Sequence, residues 1–174
     1  MNKLRIHALK IALTIMVLFT ASAGTAFAAT TGQLLLQGTV PGILEITINP
    51  AADSGDLDLS IDAADVKVAT VVERSNKKSG YTVTVESANA VTQSADNGVF
   101  INQDGTISET LNYSISYAGN PVTLSSGAAL ISDVSGKTTG TGESKDVAIS
   151  YNGSSDFPYE GTYSDTLTFT IAAK

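Results

Sequence analysis

The side chains best suited to bind a metal ion lie in the acidic stretch Asp53-Ser54-Gly55-Asp56-Leu57-Asp58. Carboxylate and hydroxyl oxygens are the ligands that Ca²⁺ prefers, with about six to eight of them around the ion. The spacing differs from that of an EF-hand loop, because Leu57 interrupts it and no glutamate closes it at the required distance. Asp53, Asp56 and Asp58 are therefore candidate calcium ligands, and a simply solvated acidic loop is the alternative.

Most other catalytic and metal chemistry lacks its side chains in this sequence. There is no cysteine, and the one histidine is His7, close to the N-terminus. Ser-His-Asp and Cys-His catalysis need an imidazole, and zinc, copper and haem sites of the usual kinds need His or Cys. Paired carboxylates could still serve a glycosidase, but no tryptophan is present to stack on a sugar ring. We predict a protein that is not an enzyme and holds no cofactor.

The segments that would position these residues are predicted to be β-strands. Apolar and polar residues alternate with period two, which indicates strands with one buried face, in segments 44–48, 81–86, 111–117, 147–151 and 166–171. Residues 66–73 form a further predicted strand that has valine on both faces, and we expect it to be covered on both.

Turn-forming residues separate these segments. Asn97-Gly98, Asp104-Gly105 and Asn152-Gly153 supply positive φ at low cost and favour tight turns. Short strands with regular turn signals are typical of a sandwich or barrel. We predict an all-β fold, an immunoglobulin-like antiparallel β-sandwich of about seven to nine strands in two sheets, as a single domain over residues 29–174.

The N-terminus has the layout of a secretory signal peptide. Lys3, Arg5 and Lys10 form a basic head, an apolar run covers residues 11–19, and small residues follow up to Ala28. A retained membrane anchor is the alternative, but the run is shorter than the about 20 residues needed to span a bilayer. We predict that residues 1–28 are a cleaved signal peptide and that the protein is bacterial and secreted, periplasmic or on the cell surface.

Removal of this leader makes the chain strongly acidic. All seventeen Asp and Glu lie after residue 28, against seven of the ten Lys and Arg, so the net charge becomes −10. Such a surface repels nucleic acid and acidic membranes. We expect neither a nucleic-acid partner nor a membrane span after cleavage.

The C-terminal stretch Gly161-Thr162-Tyr163-Ser164-Asp165-Thr166, followed by alternating apolar residues to Ile171, resembles the final strand of the spore coat protein U family and of the archaic chaperone–usher pilins. Residues 71–87 are similar to the paired central strands of that family. Many members carry a disulfide, which this chain lacks. Independently of the family, Asp165 stands where the strand leaves its loop and can accept backbone N–H bonds there. Phe169 and Ile171 would fill the core.

The resemblance implies polymerisation by strand exchange, in which a neighbour's N-terminal extension fills an apolar groove by β-augmentation. The candidate donor is segment 30–40, in which one face carries the candidate partner-binding residues Leu34, Leu36, Gly38 and Val40. An internal first strand is the alternative. The short connection through Pro41-Gly42 into the next strand favours that alternative slightly.

Two functions remain open at this point. The first is an exported structural or adhesive surface protein, a coat or fimbrial (pilus) subunit whose partners are other copies or a periplasmic chaperone. The second is a soluble periplasmic or secreted binding module, calcium-dependent in one version.

Overall fold

The computed structural model describes residues 30–174, and the predicted signal peptide, residues 1–28, lies outside them. The sandwich comprises residues 40–174. Residues 30–39 form part of a separate unit, and each of them is exposed and outside any helix or strand. The segment 30–40 therefore forms no internal first strand, and the first strand among the described residues begins at Leu44.

The sandwich consists almost entirely of strands. In chain order, its elements within residues 40–174 are β1 (Leu44–Pro50), β2 (Asp62–Ser75), β3 (Tyr81–Ser87), α1 (Ala88–Gln93), β4 (Gly98–Asn102), β5 (Thr110–Tyr117), β6 (Asn120–Val122), β7 (Ala128–Val134), β8 (Glu143–Asn152), α2 (Gly153–Asp156), β9 (Tyr163–Ser164) and β10 (Leu167–Ala173). Each segment predicted from alternation lies in one of these strands, except that Thr166 directly precedes β10. The strands number ten, against the seven to nine expected, and four of them, β4, β6, β7 and β9, were not among the predicted segments. β6 and β9 have only three and two residues, too few for alternation to be recognised.

The strands form two antiparallel sheets, which confirms the all-β sandwich. The seven-stranded sheet has the order β1-β2-β8-β5-β4-β9, with β6 also paired to β5, and the three-stranded sheet has the order β10-β3-β7. Neighbouring pairs are antiparallel throughout the described residues.

The core lies between the sheets and is filled by the inward side chains of the central strands. Val83 and Val85 of β3, Leu111 of β5 and Val147 of β8 are almost completely buried. Burying an aliphatic side chain of this size contributes about 1.5–3 kcal/mol. The core is therefore built from the residues whose alternation predicted the strands.

β2 carries valine at both even and odd positions, but not because the strand is covered on both faces, as predicted. The register with β8 shifts between Ala63 and Val66 and again between Lys67 and Ala69. Each shift is a bulge, and a bulge reverses which alternate residues face inward. Val66 and Val71 both pack against the core for this reason, so the strand does not need a cover on both faces.

The two helices are short and join strands. Ser87 caps α1, since its Oγ accepts a hydrogen bond from the Ala90 N–H at 3.0 Å. With six residues, α1 is too short for a 3.6-residue apolar repeat to appear in the sequence. No helix within residues 30–174 is long and apolar enough to cross a bilayer.

Candidate functional site

One side of the sandwich is open. β1 is the last strand of the seven-stranded sheet, β10 is the last strand of the three-stranded sheet, and the two lie close together. Within residues 30–174, no strand pairs with β10 on the side away from β3, or with β1 on the side away from β2. We term these two free edges the open seam. An unpaired edge is a template for another extended chain.

The register fixes which backbone groups of β10 face the seam. The Ala88 N–H donates to the Thr166 carbonyl at 3.0 Å, and the Lys174 N–H donates to the Gly80 carbonyl at 3.3 Å. Both pairs have the register of the β10–β3 ladder, so even-numbered residues of β10 bond to β3. The N–H and C=O groups of the odd-numbered residues therefore point to the free edge; these residues are Leu167, Phe169, Ile171 and Ala173.

Apolar side chains line the same edge. Leu167, Phe169 and Ile171 are only half-buried, whereas Val83 and Val85 of the neighbouring β3 are buried. On the other edge of the seam, Ile46 of β1 is half-buried and packs against the core. A segment paired with β10 would cover these side chains as well as bond to the backbone.

The predicted partner-binding residues lie outside the sandwich strands. Leu34, Leu36 and Val40 are each more than four-fifths exposed, and Gly38 is exposed in the same run without a strand. Three leucines at consecutive exposed positions are unusual for a soluble chain, and exposed apolar patches typically mark interaction sites. The segment thus presents exposed apolar side chains of the kind that a donor strand needs. It belongs to no strand within the described residues.

Asp165 ties the start of β10 to the rest of the sandwich. Its Oδ2 accepts hydrogen bonds from the Tyr113 hydroxyl and the Ser87 hydroxyl, both at 2.6 Å. Its Oδ1 accepts from the backbone N–H groups of Thr166 at 2.7 Å and Asn89 at 3.2 Å. The backbone-accepting role predicted for Asp165 is confirmed, and the carboxylate also anchors a buried tyrosine of β5.

Tyr163 and Glu109 hold the loop that precedes β10. The Tyr163 hydroxyl donates to Glu109 Oε2, and the Tyr159 N–H donates to the same oxygen at 2.7 Å. The loop is thereby held near the start of β5, which Glu109 directly precedes. Like Asp165, these side chains have a structural role.

A buried carboxylate joins the two sheets at the other end of the core. Glu73 of β2 is fully buried; its Oε1 accepts from the Tyr117 hydroxyl at 2.5 Å. Its Oε2 accepts from the Tyr81 hydroxyl at 2.8 Å and from the Ser132 hydroxyl at 3.1 Å. We term these four residues the Glu73 cluster. One signal in the sequence indicates this burial, since Glu73 has the same parity as the buried Val71.

The Glu73 cluster predicts a loss of stability at alkaline pH. Burial, together with the hydrogen bond to Glu73, raises the pKa of Tyr81 and of Tyr117 above the ordinary value of 10.0. Above about pH 10 the unfolded chain releases tyrosine protons that the folded chain retains, so stability is complete below that pH and falls as the pH rises. Urea unfolding from about pH 8 to about pH 11 measures this fall. Tyr117→Phe should make it shallower, and equal slopes in both proteins would contradict the assignment.

The candidate calcium ligands are not gathered into a site. Asp53 lies in the turn after β1, and its carbonyl accepts from the Asp56 N–H at 3.1 Å. Asp58 Oδ1 accepts from the Ser60 hydroxyl at 2.6 Å and from the Ser60 N–H at 3.0 Å, and these bonds lower the pKa of the Asp58 carboxyl. Within residues 30–174, no three Asp, Glu, His or Cys side chains are arranged to hold a metal ion.

A cleft of about 660 Å³ lies between this acidic loop and the loop before β10. Its lining includes the carboxylates Asp56, Asp58, Glu160 and Asp165, and none of the described residues that line it is basic. Neither a known protein family nor a curated protein sequence matches the chain.

Proposed function

We propose that this protein is an exported, non-enzymatic structural subunit of the coat or fimbrial kind, which assembles at the cell surface by strand addition. In this proposal the open seam of one copy accepts segment 30–40 of another. The observation that carries it is the coincidence of two features on β10. The odd-numbered residues have backbone groups without a partner strand within residues 30–174, and three of them also present half-buried apolar side chains.

The donor segment has the pattern that such an edge selects. In an added strand, backbone hydrogen bonds supply affinity and alternate side chains supply register. Leu34, Leu36 and Val40 share one parity with Gly38, and the three apolar side chains are almost fully exposed. Burying each would contribute about 1.5–3 kcal/mol before the cost of ordering the segment.

The open seam also accounts for the proposed partners. Before assembly, an exposed apolar edge would pair with any extended chain that it met. A periplasmic chaperone that covers the seam would prevent this, and the neighbouring copy would later replace the chaperone. Export, through the predicted signal peptide, brings the chain to the compartment where both partners would act.

A synthetic peptide of residues 30–40 tests the proposal. We expect the peptide to bind the purified protein and to reduce its self-association, because it competes for the seam. Gel filtration with light scattering measures the association. The matched control is the same peptide with Leu36 replaced by lysine, which should not compete. Equal competition by both peptides, or by neither, would refute strand addition.

A further inference from the structure

One end of the sandwich carries carboxylates without any basic residue. The connections 51–61, 103–109 and 153–166 all lie at the end where β1, β4 and β8 finish and where β2, β5 and β10 begin. These three connections contain no Lys or Arg. Their carboxylates are Asp53, Asp56, Asp58, Asp104, Glu109, Asp156, Glu160 and Asp165. We term this the acidic end.

The opposite end carries most of the basic residues. The β2–β3 turn contains Lys77 and Lys78, the β7–β8 connection contains Lys137, and Lys174 follows β10. Lys174 pairs with Asp133. Within the described residues, Lys77, Lys78 and Lys137 take part in no ion pair. We term this the basic end.

The two ends are far enough apart to act as separate charges. β8 runs from the basic end to the acidic end and has ten residues, which corresponds to about 33 Å of extended chain. That length exceeds the screening distance of about 10 Å at 0.1 M salt. The charge of one end is therefore not neutralised by the other in the same molecule.

The cleft at the acidic end is shaped to receive cationic side chains. Its loop is held in place, because the Tyr159 N–H and the Tyr163 hydroxyl both donate to Glu109 Oε2. The Tyr159 ring nevertheless remains 68% exposed at the cleft. An exposed ring beside carboxylates can contact an ammonium group through its face.

We propose that the basic end of one copy binds the acidic end of a second copy, with Lys77 and Lys78 in the cleft beside Asp56 and Glu160. The complementary charges of the two ends select a second copy as the occupant. The contact joins different surfaces of the two molecules, so it propagates head to tail rather than closing a dimer. It goes beyond strand addition, since it uses neither the open seam nor residues 30–40.

Charge reversal in the Leu36→Lys protein tests this contact with strand addition disabled. We expect that protein to self-associate at about 20 mM salt and to dissociate at about 500 mM. Lys77→Glu with Lys78→Glu should weaken the association at least about tenfold, as should Asp56→Lys with Glu160→Lys. A mixture of the two reversed proteins should associate again, because each supplies the complement of the other. Analytical ultracentrifugation measures all four samples.

The matched control changes the charge equally at another place. Lys67→Glu with Lys145→Glu alters two strand residues of the seven-stranded sheet and should leave the association unchanged. Circular dichroism confirms that each variant is folded. A protein that is monomeric at low salt, a mixture that does not associate, or a control that weakens association as much would each overturn the contact. Each readout is independent of residues 30–40, so failure here leaves strand addition standing.

Discussion

Replacing Glu73 by alanine should lower the free energy of unfolding by about 3–5 kcal/mol, the largest loss we expect from a single substitution. The Glu73 carboxylate is fully buried and accepts the hydroxyls of Tyr81, Tyr117 and Ser132, which come from strands of both sheets. Its removal leaves the hydroxyls of the buried Tyr81 and Tyr117 and of the half-buried Ser132 without this acceptor, and it leaves a cavity between the sheets. Urea denaturation of the two proteins measures the difference.

Two further variants test whether the loss of stability comes from the Glu73 cluster or would follow from any substitution in or beside β2. Tyr117→Phe removes one hydroxyl and keeps the ring, so we expect a loss of about 1–2 kcal/mol. Glu45→Ala breaks the exposed ion pair with Arg74, which should cost less than about 1 kcal/mol. A loss below about 1 kcal/mol for Glu73→Ala would mean that the cluster does not join the sheets.

Replacing Leu36 by lysine should abolish strand-mediated assembly without changing the melting temperature. Leu36 is 83% exposed and lies outside the sandwich, so a charge there removes no core contact. In the proposed assembly the same side chain enters an apolar seam, where an unpaired charge costs several kcal/mol, or about a thousandfold in affinity. Gel filtration at about 0.5 M salt, where end-to-end charge contacts are screened, measures the assembly.

Leu35→Lys is the matched control, because Leu35 has the opposite parity and nearly the same exposure. In an added strand the Leu35 side chain points away from the core of the acceptor. Leu35→Lys should therefore weaken assembly far less than Leu36→Lys does. If Leu36→Lys unfolds the sandwich, residues 30–40 are an internal strand after all. If both lysine variants assemble like the unchanged protein, the segment is not a donor.

The strands were predictable because their signal is local. Alternation in segments such as 81–86 and 111–117 depends only on which face is buried, and the structure confirms it. Asp165 was predictable for a similar reason, since its backbone acceptor role depends on its place at the start of β10. The bulges in β2 were not predictable from the sequence, because a register shift depends on the partner strand.

The Glu73 cluster and the open seam both depend on pairing at long range. The parity of Glu73 indicates burial, but its partners Tyr81 and Tyr117 become neighbours only when both sheets are assembled. The open seam requires knowing which strands have no partner, and the sequence of β10 is the same whether its edge is covered or free. For the same reason the sequence left residues 30–40 undecided between an internal strand and a donor.

Amide hydrogen exchange along β10 tests strand addition most directly. In the assembled protein, the amides of Leu167, Phe169, Ile171 and Ala173 should be protected, because the donor accepts their hydrogen bonds. In the Leu36→Lys protein the same four amides should exchange rapidly, while Thr168 and Thr170, which bond to β3, stay protected in both. Equal exchange of the odd-numbered amides in the two proteins would show that no strand is added to β10 and would contradict the proposed function.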